Sequence, residues 1–356
     1  MTVDIKKVET NMANNPIGVA VVGAGYWGPN LIRNFHNHDT SVVRWVVDRS
    51  ASRLDQIRKR FRDIKVSESY DEAFADSTVD AVVIATPTTT HHTVADAALQ
   101  ADKHVLVEKP IASTSVHSLA LCELAKKRGK ILMVGHVFVY NLGIQRVGQY
   151  IKNGDVGGIH YIAMDRTNLG PIRMDVNAAW DLASHDISIV NFWLGCNALS
   201  VSAIGGSWIN QGIQDAVFAT LRYPGNVIVN LRTSWLNPSK TRQITVVGEK
   251  RMLTFDDMNM LEPIRIYDKG VTDERVSPAF IDNFASFRAS IREGDVVIPK
   301  VFSGEPLRNE CEHFIDCVTK GNNPASDGHD GLAVVRVLEA MDRSMANFGR
   351  EENVDA

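Results

Sequence analysis

The segment Gly-Ala-Gly-Tyr-Trp-Gly at residues 23–28 limits the folds open to this 356-residue chain more than any other feature. An apolar run, Ile17 to Val22, stands directly before it, and a helical pattern through Leu31, Ile32 and Phe35 follows. A strand, a glycine turn and a helix in this order are typical of the first unit of a parallel sheet that binds a dinucleotide. We therefore predict a Rossmann domain at the start of the chain.

The glycines of this turn are placed as a phosphate-binding site requires. Gly23 permits a tight turn, Gly25 lets the backbone approach a pyrophosphate, and Gly28 allows the helix to pack closely. Asp48 ends the next apolar run, twenty residues beyond Gly28, and is expected to accept hydrogen bonds from the adenosine ribose. That carboxylate would repel a 2'-phosphate, so NAD is predicted as the cofactor. NADP is less favoured, although Arg49 offers a guanidinium to such a phosphate.

Strand and helix patterns keep alternating up to about residue 138. Four further apolar runs are separated by helical patterns near residues 51–61, 91–101 and 115–128. Parallel strands need crossover connections, which are usually helices, so this alternation predicts a parallel, doubly wound sheet. The predicted boundaries are a polar N-terminal extension at 1–15 and a Rossmann dinucleotide-binding domain at 16–138.

The pattern changes from residue 139 onward. Helices near 143–153 and 178–194 precede long alternating strands at 199–210, 215–223, 226–236, 242–248 and 251–255, with turns at 224–226 and 249–250, and helices near 306–320 and 330–346 follow. Alternation of apolar and polar residues indicates strands with one buried face. The fold class is thus α/β, with an α+β domain at 139–356 that carries a large, mainly antiparallel sheet. The acidic tail at 351–356 is expected to fray.

Charge and composition narrow the classes of partner. A net charge of -4 gives no clustered basic face for nucleic acid, so a small-molecule substrate is predicted. The first fifteen residues are polar, and no apolar run is long enough to span a bilayer, so we expect no membrane association and a cytoplasmic location. The four cysteines lack CxxC spacing and are expected to be reduced thiols; they are Cys122, Cys196, Cys311 and Cys317.

Four further segments carry a resemblance to a known family. They are ATPTTTHH at 85–92, VLVEKPIA at 105–112, VGH at 134–136 and WDLASHDIS at 180–188. Together with the glycine turn they resemble the Gfo/Idh/MocA family of sugar oxidoreductases over nearly the whole chain. The most specific marks are the Glu-Lys-Pro triplet that contains Lys109 and the pair Asp181 and His185. Spacing alone places the members of that pair on one face of a helix.

The resemblance implies chemistry for three of these residues. Hydride transfer from a secondary alcohol to NAD needs a group that accepts the hydroxyl proton and a donor that stabilises the oxygen. Lys109 and His185 fit these roles, and which of them is the formal base is left open. Asp181 is expected to bind the imidazole or a neighbouring sugar hydroxyl. Trp180 is expected to pack in the core.

The remaining predicted contacts fall into two groups. Besides Gly23, Gly25, Gly28, Asp48 and Arg49, the cofactor is expected to meet Tyr26, Trp27, Thr86, Pro87, Thr88, His91, Glu108 and Lys109. The substrate is expected to meet Lys109, Asp181 and His185, together with Arg166, Asn168, Arg173 and Arg242, because arginines bind phosphate or carboxylate in a bidentate manner.

The segments from Arg166 to Ser188 and from Glu305 to Ala340 look like the branch that oxidises the 3-hydroxyl of UDP-N-acetylglucosamine or its uronate. Such 3-keto sugars feed amino-sugar synthesis. A nucleotide-sugar 3-ketoreductase in deoxysugar synthesis, a free sugar or cyclitol dehydrogenase, an NAD-dependent glycosidase and a non-catalytic NAD-binding regulator stay open as alternatives.

No metal is predicted, because His36 and His38 lack a third ligand at a suitable spacing. The helices predicted in the second domain are too few to cover its sheet, so a homodimer or homotetramer is expected.

Overall fold

The computed structural model describes residues 16–272, 290–292 and 294–355. The predicted polar extension at 1–15 lies outside the described residues. Within them the chain forms two large sheets, one six-stranded and one nine-stranded, and a separate pair of short strands. The α/β class predicted from the sequence is confirmed.

The first sheet is parallel throughout, in the order β3-β2-β1-β4-β5-β6. Its strands are β1 (Ile17–Val22), β2 (Ser41–Val47), β3 (Lys65–Ser67), β4 (Ala81–Ile84), β5 (His104–Glu108) and β6 (Leu132–Gly135). The crossover helices are α1 (Gly28–His36), α2 (Ala51–Arg60), α3 (Asp71–Ala75), α4 (Thr88–Gln100) and α5 (Ser115–Arg128). Strand order reverses between β1 and β4, which is the position where open parallel sheets bind their ligands.

A 3-10 turn, Val137–Tyr140, leads from the first sheet to the second half of the chain. There follow α6 (Leu142–Lys152), β7 (Ile159–Leu169), a π-helical turn (Ala179–Ala183), α7 (Ser184–Leu194), β8 (Ser200–Gly206), β9 (Ala216–Tyr223), β10 (Val227–Ser234), β11 (Leu236–Gly248), β12 (Met252–Asp256) and β13 (Ile264–Tyr267). The remaining elements are β14 (Gly270–Thr272), β15 (Ser290–Arg292), β16 (Val296–Val297), α8 (Pro306–Lys320), α9 (Gly328–Ala346) and β17 (Glu352–Asn353).

The second sheet has the order β16-β13-β12-β11-β7-β10-β9-β8-β17 and is antiparallel except where β10 pairs with β7. Both predicted turns are confirmed. The 3-10 turn at Pro224–Asn226 joins β9 to β10, where Gly225 has a φ of 74°. Residues 249–250 join β11 to β12.

The two closing helices return to the first sheet. Residues of α8 pack in one apolar cluster with β1 and α1, and the rings of Phe35 and Phe314 meet edge to face at 6.2 Å. Helix α9 begins with a capping box in which Asp327 and Asp330 each accept a backbone N–H of the other. It packs against both α5 and β8, so it connects the two sheets. Elements that follow the second sheet in sequence therefore help to form the core of the first.

The prediction that the acidic tail frays is wrong. Glu352 pairs with Val201 and Asn353 with Ser200, so the tail adds β17 to the edge of the second sheet. Val354 is buried there, and its N–H donates to the carbonyl of Leu199. A short strand gains its pairing from the partner edge, which its own polar composition does not reveal.

Candidate active site

The glycine turn between β1 and α1 is packed tightly at two positions and open at the third. Gly23 has a φ of 102°, and a Cβ there would lie 2.6 Å from the carbonyl oxygen of Ala85. A Cβ on Gly28 would lie 2.0 Å from the carbonyl oxygen of Gly23. At Gly25 the nearest atom is an Arg53 nitrogen at 3.7 Å. The backbone at Gly25 is thus accessible to a ligand, as a pyrophosphate requires.

Asp48 holds this turn from the end of β2. Its carboxylate accepts the N–H of Ala24 at 2.7 Å and the N–H of Ser50 at 2.8 Å, and the Arg53 guanidinium lies 3.5 Å away. Helix α1 has no capping side chain, so its N–H groups are available to an anion. Arg49 is exposed beside this arrangement. The residues present fit the adenosine and pyrophosphate part of NAD.

His91 ties together two loops at the carboxyl end of the first sheet. Its Nδ1 lies 2.8 Å from the carbonyl oxygen of Pro110, and its Nε2 lies 2.8 Å from that of Thr86. Burial lowers the pKa of His91, and the neutral ring donates to one of the two carbonyls. The histidine therefore fixes the spacing between the loop after β4 and the loop after β5.

A cavity of about 840 Å³ lies between the two halves of the chain. Its wall on the side of the first sheet contains the predicted cofactor residues Tyr26, Trp27, Thr86, Pro87, Thr88, His91, Glu108 and Lys109. Its opposite wall contains Arg173, Asp181, His185 and Arg242. The structure thus brings most of the predicted site residues from both halves to one space.

Lys109 and Asp181 meet across this cavity. The Nζ of Lys109 donates to the carbonyl oxygen of Asp181 at 2.7 Å, and it lies 3.5 Å from the Asp181 carboxylate. Burial lowers the pKa of Lys109, while Asp181 and Glu108 raise it in part. The lysine is held by one residue of the second half of the chain, which places its ammonium beside the space where a substrate oxygen can lie.

The Asp181 carboxylate is fixed by two further donors. Trp235 donates its Nε1 proton to Oδ2 at 3.1 Å, and an Arg173 nitrogen lies 3.3 Å from Oδ1. Burial raises the pKa of Asp181, but Lys109, Trp235 and Arg173 outweigh burial and hold the pKa below its ordinary value. Asp181 is therefore a carboxylate at neutral pH, and its negative charge stabilises the ammonium of Lys109.

His185 contributes a neutral imidazole. Its ring meets that of Phe138 edge to face at 5.0 Å, and its Nδ1 is buried with no hydrogen-bond partner in the protein. Burial, followed by the positive charge of Lys109, holds the pKa of His185 well below its ordinary value. Nε2 is the ring nitrogen left for a substrate in the cavity. The neutral ring can accept a proton there.

The backbone that carries Asp181 and His185 differs from the single helix that was predicted. Spacing predicts a single helical face, whereas Asp181 lies in the π-helical turn and His185 in the first turn of α7. Both side chains nevertheless line the cavity. Such π turns occur frequently at functional sites. Trp180 in the same turn is buried and donates to Asp342 at 2.7 Å, so its predicted packing role is confirmed.

The predicted substrate arginines differ in what they can offer. Arg166 is buried, forms an ion pair with Asp186 at 2.7 Å, and lies over the Phe138 ring at 4.2 Å. It does not line the cavity, and the buried carboxylate of Asp186 already binds its guanidinium, so the structure does not bring Arg166 to the other predicted substrate residues. Asn168, two residues further along β7, also does not line the cavity.

Arg173 and Arg242 do line the cavity, and each already has a carboxylate partner. Arg173 pairs with Asp175 at 2.6 Å, and Arg242 pairs with Asp257 at 2.8 Å. Both guanidinium groups are partly exposed to solvent. Their charges are therefore accessible to a ligand but partly neutralised.

Two carboxyl groups stand at the wall formed by the first sheet: Glu108 is half-buried and lines the cavity, and Glu310 is buried. Burial raises the pKa of Glu108 to about 7, even though Lys109 and a Trp27 hydrogen bond lower it. Glu310 on α8 is fully buried, and neither carboxyl oxygen has a partner in the protein. Burial and then the charge of Glu108 raise the pKa of Glu310 well above its ordinary value. The buried site therefore favours the protonated form of Glu310.

Several residues of the site were missed by the sequence reasoning. The ring of Phe138 contacts Arg166, Arg242 and His185. Trp235 donates a hydrogen bond to Asp181, and Glu310 lies close enough to Glu108 to be affected by its charge. The cavity wall also includes Phe255, Asp257, Asn259, Met260, Pro263 and residues 301–307. Only the VGH segment and the two carboxyl-terminal helices gave a signal near any of them. The loops before α8 carry no periodicity from which a place in the cavity could be inferred.

No helix in residues 16–272, 290–292 and 294–355 is both long and apolar enough to cross a membrane. Within that same part of the chain, no three His, Cys, Asp or Glu side chains are grouped so that they could hold a metal ion. All four cysteines are free, and Cys122, Cys311 and Cys317 are buried.

Comparisons with known proteins agree with this geometry. Residues 17–136 match the family described as an oxidoreductase family with an NAD-binding Rossmann fold, and residues 144–254 match the Gfo/Idh/MocA C-terminal domain. The chain is 27% identical to a UDP-N-acetylglucosamine 3-dehydrogenase from Acidithiobacillus ferrooxidans, over 75% of this chain and 84% of that protein. It is 23% identical to a myo-inositol 2-dehydrogenase from Thermotoga maritima, over 92% of this chain and 96% of that protein.

Solved structures show the same fold. The A. ferrooxidans UDP-N-acetylglucosamine 3-dehydrogenase GnnA matches with a TM-score of 0.79 at 24% identity, over 94% of this chain and 99% of that one. GenD2 from gentamicin A biosynthesis, in complex with NAD, matches with a TM-score of 0.79 at 26% identity, over 96% of this chain and 97% of that one. Fold, glycine turn and matched domains agree: the chain belongs to the Gfo/Idh/MocA family, as a sugar or cyclitol oxidoreductase that binds NAD.

Proposed function

We propose that this protein is an NAD-dependent dehydrogenase that oxidises the 3-hydroxyl of a UDP-N-acetyl-hexosamine, or of its uronate, to a 3-keto sugar for amino-sugar synthesis. In this proposal residues 16–138 bind the cofactor and residues 139–356 bind the substrate. The observation that carries it is that Lys109, Asp181 and His185 line the same cavity as the loops beside the glycine turn. The similarity to a UDP-N-acetylglucosamine 3-dehydrogenase supports the choice of sugar.

The shape of the cavity supports a substrate larger than one sugar ring. Beyond the reacting groups it continues to Phe255, Met260 and Phe302, and Met260 and Phe302 are largely exposed. Aromatic side chains offer a surface on which a nucleobase can stack. Arg173 and Arg242 stand between this apolar end and Lys109 in the proposal, where they would meet the diphosphate.

The reaction removes a hydride from C3 and a proton from its hydroxyl. NAD, when bound, accepts the hydride. The ammonium of Lys109 donates a hydrogen bond to the substrate oxygen and stabilises negative charge as it develops. Nε2 of His185 accepts the hydroxyl proton, because the imidazole is neutral before the reaction. The Asp181 carboxylate keeps Lys109 charged and in place.

A panel of alcohols tests this proposal. The purified protein is mixed with NAD and with UDP-N-acetylglucosamine, its uronate, dTDP-sugars, free sugars or myo-inositol, and NADH absorbance is followed. We expect NADH formation with a UDP-N-acetyl sugar, loss of two hydrogens by mass, and a ketone at C3 by proton NMR. The same reactions are run from NADH and keto-sugar, because the equilibrium of alcohol oxidation can favour the reverse direction.

A second candidate is a cyclitol dehydrogenase, which the inositol dehydrogenases among the relatives favour. NADH formed from myo-inositol, with no response to any UDP-sugar, establishes that function instead. If no alcohol or ketone changes the cofactor while NAD still binds, the protein is a non-catalytic binding protein. The Lys109→Ala variant is the matched control, since it removes the ammonium and leaves the glycine turn untouched.

A homo-oligomer that forms through the second sheet is part of the proposal. One face of this sheet is solvent-exposed and carries apolar side chains on neighbouring strands, including Tyr161, Ile204, Phe218 and Ile228. Exposed apolar groups that share one face favour association. Light scattering after size exclusion should give a dimer or tetramer, and Phe218→Asp should shift the protein toward monomer. A wild-type monomer at micromolar concentration contradicts this part.

A further inference from the structure

A second cavity lies on the other side of the wall that carries His185. It has a volume of about 380 Å³ and is lined by His136, Ser188, Asn191 and Asp330, among others. The 3-10 turn Val137–Tyr140 separates the two cavities, because Phe138 lines the large one and Val139 the small one. Helix α7 contributes in the same way: His185 lines the large cavity and Ser188, one turn later, the small one.

Buried polar atoms without a protein partner are concentrated along this wall. They are Nδ1 and Nε2 of His136, Nδ1 of His185 and Nδ2 of Asn191. Buried polar groups in folded proteins are almost always paired with protein or with ordered water. A water occupies about 30 Å³ in the liquid, so the small cavity can hold several. The unpartnered nitrogens and the volume together indicate a chain of water molecules.

His136 is electrostatically coupled to the reacting groups. Burial, and then the positive charge of Lys109, lower the pKa of His136 to about 3. Burial, and then the positive charges of Lys109, Arg166 and Arg242, lower the pKa of His185, and a proton on His136 also disfavours one on His185. The protonated form of His185 is therefore unfavourable, so the ring readily passes on a proton that it accepts.

The Nε2 side of His185, which faces the large cavity, cannot pass the proton to solvent during the reaction. Cofactor and substrate occupy the large cavity when the proton is released, and ligands that fill a site exclude water from it. The small cavity, in contrast, reaches the surface beside Asn197 and Asp330, which are both exposed. A route for the proton is present behind the histidine.

We propose that His136 and water in the small cavity carry the substrate proton from His185 to solvent. The inference rests on the proposed dehydrogenase function. The hydroxyl proton passes to Nε2 of His185 while the hydride leaves C3 for NAD. His185 then gives the proton on Nδ1 to a water or to one ring nitrogen of His136, and the other nitrogen releases a proton toward Asp330. The products are ketone, NADH and one proton in solvent, and both histidines return to their neutral forms.

The test replaces the ring of His136 and measures proton transfer directly. His136→Ala is expected to lower kcat roughly a hundredfold, at the lower end of the range for loss of one acid–base group. KM for NAD and for the alcohol should change less than about twofold, and the solvent deuterium isotope effect on kcat should rise. Asn197→Ala, at the exposed rim of the same cavity, is the matched control and should retain the wild-type values.

Chemical rescue separates proton transfer from packing. Imidazole added to His136→Ala should restore kcat, because it accepts a proton at one nitrogen and donates from the other. Thiazole has a similar shape but no N–H, so it should not. Equal rescue by both compounds, or a wild-type kcat and isotope effect in His136→Ala, overturns the proposal.

One measurement does not depend on turnover. A high-resolution crystal structure should show ordered water within hydrogen-bond distance of His136, and a dry cavity overturns the relay. The sugar panel with wild-type protein decides the proposed function separately, and the ratio of variant to wild type is measured with whichever alcohol the wild type oxidises. A non-catalytic wild type removes the dehydrogenase proposal and the relay with it, whereas an active wild type with an unaffected variant removes the relay alone.

Discussion

Two glycines of the same turn should respond in opposite ways to alanine. An added Cβ at Gly28 would lie 2.0 Å from the carbonyl oxygen of Gly23, whereas at Gly25 the nearest atom is 3.7 Å away. Carbon and carbonyl oxygen ordinarily approach to about 3.3 Å. Gly28→Ala must therefore move α1 away from the turn by roughly 1 Å, and Gly25→Ala fits with no displacement.

The magnitudes follow from these distances. Overpacking of this kind destabilises a protein by about 1–3 kcal/mol, and each kcal/mol lowers Tm by about 2–4 °C in a chain of this size class. Gly28→Ala should therefore lower Tm by roughly 2–12 °C. Gly25→Ala should leave Tm unchanged or slightly raised, since alanine restricts the unfolded chain. Its methyl group instead occupies the space where the backbone meets the pyrophosphate, so Kd for NAD should rise at least about tenfold, or ~1.4 kcal/mol.

The assay is calorimetry without cofactor, followed by a fluorescence titration with NAD. Trp27 lines the cavity and serves as the reporter. The reasoning is refuted if Gly25→Ala lowers Tm as much as Gly28→Ala does. It is also refuted if Gly25→Ala binds NAD with the wild-type Kd, because the open position would then not be where the cofactor approaches.

Three further outcomes are expected. Lys109→Ala should lower kcat by about 10²–10⁴-fold, while the Kd for NAD, measured by titration, stays within about threefold. If NAD affinity falls by the same factor as kcat, Lys109 acts in binding and not in catalysis. Asp186→Asn leaves the buried guanidinium of Arg166 without its anion and should destabilise the fold by about 3–5 kcal/mol in urea unfolding, and a loss below about 1 kcal/mol contradicts this. Glu310→Gln should stabilise the protein increasingly as pH rises above about 4.5. The raised pKa means that the stability contributed by protonated Glu310 is full below about 4.5, its unfolded pKa, and is lost as pH rises through the folded pKa; a Tm difference that is constant with pH refutes it.

The first half of the chain could be predicted from the sequence because its signals are local. The glycine turn, the apolar run before it and Asp48 at the next strand end lie within about thirty residues, and each has one structural meaning. The cofactor wall follows from the same rule, since loops after parallel strands meet at one edge of the sheet. Lys109 and Thr86 accordingly line one cavity.

The structure departs from the sequence-based expectations where the decisive partner is far along the chain. Arg166 stands in a segment typical of substrate binding, but Asp186, twenty residues later, binds its guanidinium in the core. The tail is polar and short, and its order depends on pairing with Ser200. Neither partner can be read from composition or periodicity, because tertiary contacts override local preference. The π-helical turn at Asp181 is likewise a feature that composition and periodicity do not reveal.

The pairing of charges in the cavity has a consequence for substrate binding. Arg242 is 2.8 Å from Asp257, and Arg173 is 2.6 Å from Asp175. A substrate diphosphate gains the full attraction of either guanidinium only if the paired carboxylate turns away into solvent, and an exposed pair of this kind contributes about 0.2–1 kcal/mol. Asp175, one of the two carboxylates that Arg173 contacts, is exposed, so giving up that pair is inexpensive. The exchange is more costly for Arg242, because Asp257 also accepts from Asn141 at 3.1 Å. If the substrate is the proposed sugar nucleotide, Arg173 is therefore expected to bind it first, while Arg242 stays paired with Asp257 in the cavity wall.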